Sequence, residues 1–332
     1  MYQPQAYSLV LLFMITSMLF WGSWANTRKL TAGYPFSLFY WDYVIGILIG
    51  SLLWGFTLGS IGDAHLSFIA NLRGTDATHL LFAVAGGAVF NVANLLLVAA
   101  IDVAGMAVAF PVGIGLALIV GVILNYFINP VGNPLLIFSG VALVAIAIVL
   151  DALAYRRREA VGTISARGVM LSVISGLLMG TFFPLVAKST LGTHALGPYA
   201  VAFVFAIGVI LCTLPLNAYL MRHSLTGEPR TTIAQYAAVR MSWHFWGMVG
   251  GIIWCTGAVA SFVASKANLV GPAVSYAIGQ GATMVSALWG VFIWREFAKA
   301  PRNSRKLIPW MFLFFIGGLA AIALAPLIHS SH

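Results

Sequence analysis

Residues 105–115 read GMAVAFPVGIG and residues 271–281 read GPAVSYAIGQG. Aligned at an offset of 166, five of the eleven positions are identical: Gly105/Gly271, Ala107/Ala273, Val108/Val274, Gly113/Gly279 and Gly115/Gly281. Phe110/Tyr276 and Val112/Ile278 are near matches. The likeness spreads outward. Gly86 and Gly87 fall on Gly250 and Gly251 at an offset of 164, while Ser17, Leu19, Gly22 and Ser23 fall on Ser175, Leu177, Gly180 and Thr181 at 158. Glycines recur wherever membrane helices pack closely, but five identities in one short window favour an internal repeat.

Both windows sit in long apolar runs. The chain has 332 residues, 61% hydrophobic and 8% charged, against roughly 25% charged in a soluble domain, which excludes a cytosolic enzyme. A membrane-crossing helix takes about 20 apolar residues, and runs of that kind fall at 7–27, 36–59, 79–101, 105–127, 134–154, 167–188, 198–220, 243–265, 272–294 and 307–328. Loop chemistry separates them, as at Gly33-Tyr34-Pro35, Gly132-Asn133-Pro134 and Pro301-Arg302-Asn303. The fold class is all-α integral membrane, with ten transmembrane helices. The first run follows an uncharged N-terminus and precedes Arg28 and Lys29, the reverse of a secretory signal, and is read as a retained helix.

A repeat of five helices is odd-numbered, so the second half enters the membrane from the opposite side. The expected architecture is two inverted five-helix repeats, residues 1–155 and 167–332, joined by a basic cytoplasmic linker at 156–166. Basic residues set orientation, and they segregate. Arg28, Lys29, Arg156, Arg157, Arg158, Arg167, Arg222, Arg230, Arg240, Arg295, Lys299, Arg302, Arg305 and Lys306 share one side; only Arg73, Lys188 and Lys266 fall on the other. Both termini should therefore face outward. The net charge of +9 reads as topology, not as a nucleic-acid surface.

Repeated halves with paired helix interruptions mark the binding site of a secondary transporter. Gly105, Pro111, Gly113 and Gly115 interrupt the fourth span, and Gly271, Pro272, Gly279 and Gly281 the ninth. Polar side chains at membrane depth need partners or a water-lined cavity. Asn91 and Asn94 lie on one face of the third span, and Gln280 and Thr283 are one turn apart in the ninth. Amides carry both donors and acceptors and suit a neutral solute; each could equally bond a neighbouring helix. Trp21, Trp24, Phe110, Trp254 and Tyr276 supply rings on which a planar solute could stack, with packing as the alternative. Asp42 lies about a turn and a half inside the second span. It is either a carrier of a coupling proton or a salt-bridge partner of Arg28 or Lys29.

No P-loop, HExxH or Ser/His/Asp set occurs, and Cys212 and Cys255 lie singly in apolar runs. No enzyme activity, cofactor or metal is expected. The partners are a small-molecule substrate, protons and the lipid bilayer; the oligomeric state is open. A channel is a rival reading, although no charged pore ring or filter motif appears.

The first half resembles the ureide permeases of the drug/metabolite transporter superfamily, and through them the glucose/ribose porter group. The resemblance rests on Gly22-Ser23-Trp24, Asp42-Tyr43, residues 57–62 (TLGSIG), Leu81-Phe82-Ala83, Gly86-Gly87, Asn94 and residues 124–127 (LNYF). It covers about residues 20–155. It implies a proton-linked importer of a ureide or nucleobase such as allantoin or uracil, with a sugar porter as the alternative. Plant members carry a long loop between the halves. The short link here implies a prokaryotic relative in a bacterial inner membrane.

Overall fold

A computed structural model describes residues 1–62, 67–159, 165–223, 229–267 and 269–328, without the side chains of Asp102, Met106, Ala107, Phe110 and Glu159. Among these residues every regular element is a helix, and ten helices are long and apolar enough to cross a membrane. The first span joins α1 (Tyr7–Ser23) to the short α2 (Asn26–Lys29). The second is α3 (Phe36–Phe56), followed by the surface turn α4 (Phe68–Gly74). Spans three to five are α5 (Ala77–Ala104), α6 (Met106–Ile128) and α7 (Pro134–Glu159). Spans six and seven are α8 (Ala166–Thr190) and α9 (Pro198–Arg222). After the short α10 (Ile233–Ala237) the eighth span is α11 (Met241–Lys266). The ninth is split into α12 (Gly271–Gly279) and α13 (Ala282–Leu288) and ends in a π turn at Trp289–Ile293. α14 (Arg302–Arg305) leads into α15 (Leu307–Leu324), the tenth.

Local chemistry fixes the ends of these helices. Asp76 accepts from the His79 amide at 3.0 Å ahead of α5, Ser165 accepts from Gly168 ahead of α8, and Pro198 opens α9 where its missing donor costs nothing. Gly105 and Gly271 start α6 and α12 at φ of 76° and 68°, a region that favours glycine. Two boundaries differ from the sequence expectation. α7 runs on to Glu159, so Arg156–Arg158 are helical rather than linker. α6 continues unbroken past Pro111, Gly113 and Gly115; Pro111 removes only one donor, toward the carbonyl a turn earlier, and the chain breaks instead at Gly105.

Packing between apolar helices in lipid depends on close approach, because lipid tails are as apolar as leucine. α5 lies along α8 and α9, α6 along α8 and α7, α3 along α11 and α9, α1 along α11, and α7 along α15. Glycines set the closest crossings. A Cβ on Gly87 would collide with the Phe205 carbonyl oxygen, and one on Gly251 with that of Tyr43.

The basic loops meet at one end of the bundle. Lys29 Nζ pairs with Glu296 Oε1 at 2.7 Å, Arg158 with Glu296 Oε2 at 3.2 Å, and Ser37 meets Thr231 at 2.8 Å. The chain termini pack at the other end, where Tyr199 Oη donates to Tyr2 O at 3.0 Å and Asn133 N to Ala325 O at 2.9 Å.

Candidate functional site

The ninth span loses its regular helix just past Gln280, where Gly281 N bonds Ile278 O at 2.9 Å and Thr283 N bonds Gln280 O at 3.2 Å, each three residues back instead of four, a tightened turn between α12 and α13. This break turns Gln280 and Thr283 toward a cavity of about 450 Å³ enclosed by α1, α5, α6, α8, α11 and α12–α13. The size suits a small solute.

Aromatic rings are prominent in its wall. Trp21 and Trp254 stack at 6.0 Å between centroids, Phe90 lies 4.3 Å from Trp254, and Trp24 and Phe182 complete the set. The Trp21 indole donates to the Trp254 carbonyl at 3.2 Å. The Trp24 and Trp254 N–H groups have no partner among the described residues. Gln280 is the most telling polar group. The residue is only 9% exposed, yet neither end of its amide bonds any described residue. Thr283 Oγ1 is used locally, donating to Gln280 O at 3.0 Å.

The lining runs from Gly279 and Gln280 at mid-depth to Arg28, Phe36 and Ile101 at the basic end. Toward the termini it is closed. Phe183 packs on Tyr276 at 5.1 Å and on Phe262 at 5.6 Å, and all three rings are buried.

Of the candidates from sequence, Trp21, Trp24, Asn94, Trp254, Gln280 and Thr283 come together on this wall. Asn91 and Tyr276 do not. Asn91 is fully buried behind Asn94, with its side-chain oxygen 2.7 Å from Tyr40 Oη and 3.1 Å from Thr213 Oγ1. Tyr276 is fully buried too, its ring tip against Gly121 and its hydroxyl 3.1 Å from Ala117 O and 3.3 Å from Met179 O; it ties α12 to α6 and α8. The Phe110 side chain lies outside those described. Gly279 lets the Trp21 ring reach the wall, since a Cβ there would sit 2.7 Å from Trp21 Cζ3.

Phe90, Ile114, Met179 and Phe182 line the cavity without having been singled out, although the offsets of the repeat point to each. Trp21 and Met179, like Trp24 and Phe182, are 158 apart; Phe90 and Trp254 are 164 apart; Ile114 and Gln280 are 166 apart.

Asp42 stands outside this wall. It is 1% exposed and accepts from three donors on three other elements: Tyr34 Oη at 2.7 Å, Tyr236 Oη at 2.6 Å and His244 Nδ1 at 2.8 Å. Both tyrosine hydroxyls are pushed well above the usual phenol range, by burial first and then by the Asp42 carboxylate, so they stay donors. Neither salt-bridge partner suggested by the sequence is taken up. Lys29 goes to Glu296, and Arg28 donates to Tyr34 O at 2.8 Å and lies over the Phe36 and Phe39 rings. His244 lies in the first turn of the eighth span, at the same end of the bundle as Asp42, which is the signal the sequence carries for it.

Ten apolar spans around a solute-sized cavity, with polar groups left unbonded on an aromatic wall, define a multi-span membrane permease. Known proteins narrow the class. The ureide permease family profile matches residues 39–165 and 154–326, and the chain belongs to that family. It is 23% identical to ureide permease 1 of Arabidopsis thaliana over 97% of this chain and 98% of that protein. Ureide permease 2 of the same plant is 22% identical over 85% and 88%, and probable ureide permease A3 of Vigna unguiculata is 31% identical over 33% of this chain and 31% of its own. A solved crystal structure shares the fold, with a TM-score of 0.66 at 18% identity over 97% of this chain and 99% of that one.

Proposed function

We propose that this permease carries a ureide such as allantoin, a neutral solute of alternating N–H and C=O groups, through the cavity around Gln280. The observation that carries the reading is the unbonded Gln280 amide on an aromatic wall. The amide is left free for a ligand, and a ureide supplies both the donor and the acceptor it lacks. A planar ring stacks on Trp21, Trp24 and Trp254. The plant relatives are named for ureides. A sugar would need many more free hydrogen-bonding groups than the wall offers, which sets the sugar-porter reading aside.

Movement proceeds by alternating access between two inverted halves, residues 1–155 and 167–332, an arrangement typical of secondary carriers and of the wider drug/metabolite transporter superfamily. Matching contacts support the inverted pair. Gly87 of α5 meets Phe205 and Val209 of α9, and Gly251 of α11 meets Tyr43 and Ile47 of α3. Gly22 of α1 approaches Ala282 and Val285, and Gly180 of α8 approaches Val120 and Gly121. Each pair exchanges span n with span n+5. The clustering of basic residues supports a cytoplasmic basic end and outward termini. The cavity then faces the cytoplasm. The relatives compared are plant proteins, so a bacterial membrane rests on the short linker alone.

Asp42 carries the coupling proton. As a carboxylate it accepts from Tyr34, Tyr236 and His244; once protonated, one of its oxygens becomes a donor, and the hydroxyl facing it must turn its own proton away and accept. Tyr34 passes the change to the cavity, since its hydroxyl bonds Asp42 and its carbonyl holds Arg28.

The test is uptake of labelled allantoin, uracil and glucose by the full chain in proteoliposomes, with and without an inward proton gradient. Saturable, gradient-driven allantoin uptake is expected. Uptake of glucose alone, or unsaturable flux of all three, defeats the proposal. In Asp42→Asn, accumulation driven by the gradient should vanish while exchange at equal pH persists.

A further inference from the structure

The rings that close the cavity toward the termini have a second cavity on their far side. Phe183, Phe262 and Tyr276 form this plug. On the same three helices, four positions away toward the termini, stand Ala187, Lys266 and Pro272. Four residues are about one helical turn. Ala187, Lys266 and Pro272 line a pocket of about 180 Å³, so one layer of rings separates it from the solute cavity.

Three polar side chains line this pocket. Lys266 Nζ donates to Thr190 O, the last carbonyl of α8, which takes up one of its three protons. The Asn129 amide and the Ser265 hydroxyl bond no described residue. Together they offer N–H groups to a carbonyl and an amide oxygen to an N–H.

The internal repeat marks the same place. Ala25, Val98 and Ile101 line the solute cavity toward its mouth at the basic end. Their counterparts at offsets of 158, 164 and 164 are Phe183, Phe262 and Ser265. The closed end thus corresponds to the open mouth, with two rings where the mouth has an alanine and a valine.

We infer that the pocket beside Lys266 is a second solute site, an outer subsite that holds a solute bearing C=O and N–H groups against the plug before the plug opens. The solute's identity as a ureide rests on the functional reading above; the place of the subsite rests on the geometry. Lys266 donates to a solute carbonyl, and its bond to Thr190 O keeps the ammonium on the pocket wall. Asn129, which follows the last residue of α6, meets the solute from another helix.

The test is alkylation by N-ethylmaleimide of a thiol placed on the pocket wall, Ser265→Cys, in the full chain in proteoliposomes. Mass spectrometry reads the reaction at that position with allantoin absent and present. The thiol should react, and allantoin at about ten times its half-protecting concentration should slow the reaction about tenfold. Alkylation should also remove most of the uptake, beyond any loss in wild type treated alongside. Two further changes separate occupancy of the pocket from an effect of the main cavity. Lys266→Met, which keeps the stem, should raise the half-protecting concentration by about tenfold, whereas Gln280→Leu should leave it within about threefold. A shift with Gln280→Leu and none with Lys266→Met assigns the protection to the main cavity and overturns the inference. So does a thiol that fails to react, alkylation that leaves uptake intact, or saturable uptake without protection. If Ser265→Cys fails to fold, Asn129→Cys gives the same readings from the α6 side of the pocket. Absence of saturable allantoin uptake defeats the functional reading, and the solute named here with it.

Discussion

Positions 114 and 280 fall at the same place in the two repeated windows and reach the same cavity, one as isoleucine and the other as glutamine. Around them the backbones have parted. α6 runs straight through Gly113 and Gly115, whereas the ninth span breaks after Gly279 and resumes at Ala282. Two matching stretches of sequence reach one cavity, and the polar side chain stands on one of them. The break and the amide belong together, because a polar side chain in an unbroken apolar helix would tend to seek a partner in a neighbouring helix, while the tightened turn at Gln280 aims it into open space.

The largest effect should come from removing that chemistry. Gln280→Leu keeps the bulk and deletes both hydrogen bonds, and we expect allantoin kcat/KM to fall by about 10- to 100-fold. Ile114→Leu, the matched change on the other wall, should stay within about threefold. Equal losses in the two variants would dissolve the contrast. The glycines sharpen it on a second scale. Gly279→Ala drives a Cβ to 2.7 Å from the Trp21 ring and Gly281→Ala to 2.7 Å from Met18 Sδ, and Gly279→Ala should cost about 1–3 kcal/mol. Gly113→Ala meets the flexible tip of Leu97 at 3.0 Å and the Ser172 carbonyl oxygen at an ordinary 3.5 Å, and Gly115→Ala meets nothing within 4 Å. Thermal unfolding in detergent should rank them Gly279 first, Gly113 next and Gly115 unchanged. A destabilised Gly115→Ala would contradict the open space beside it.

The ten spans were legible because hydropathy and loop glycines and prolines are local properties, and their boundaries agree with the structure to within a few residues at most ends. The cavity wall was half legible. Single-residue reasoning reached Trp21, Trp24, Asn94, Trp254, Gln280 and Thr283; the repeat offsets, applied residue by residue, would also have reached Phe90, Ile114, Met179 and Phe182. What stayed hidden depends on neighbours that sequence does not name. Asn91 and Asn94 share a helical face, but only the packing of Tyr40 and Thr213 against Asn91 shows which one reaches the cavity. Tyr276 matches an apolar phenylalanine in the repeat, yet its hydroxyl finds two carbonyl oxygens on other helices. Asp42 lies near two basic residues in sequence and takes its donors from Tyr34, Tyr236 and His244.

The smallest effect is one of pH, and it should touch one window only. Beyond the π turn, Glu296 anchors the ninth span to the first and fifth through Lys29, Tyr155 and Arg158. Burial alone would raise its carboxyl. Hydrogen bonds from Lys29 and Tyr155, with the charges of Lys29 and Arg158, win and hold it below the ordinary carboxylate value of 4.5. A depressed folded value means the stabilisation is present above about pH 4.5 and is lost as pH falls through the folded value. The pair is partly exposed, so the loss should be about 0–1 kcal/mol. The corresponding end of α6 is held by neutral groups: Asn129 N on Asn125 O at 3.1 Å and Leu135 N on Asn133 Oδ1 at 3.0 Å. Unfolding of the wild type and Glu296→Gln, followed from neutral pH stepwise into acid below the folded value, isolates the contribution of the carboxylate. The gap between the two proteins should be present at neutral pH and close in acid; a gap that stays constant would mean the carboxylate's charge contributes nothing to holding the ninth span against the first.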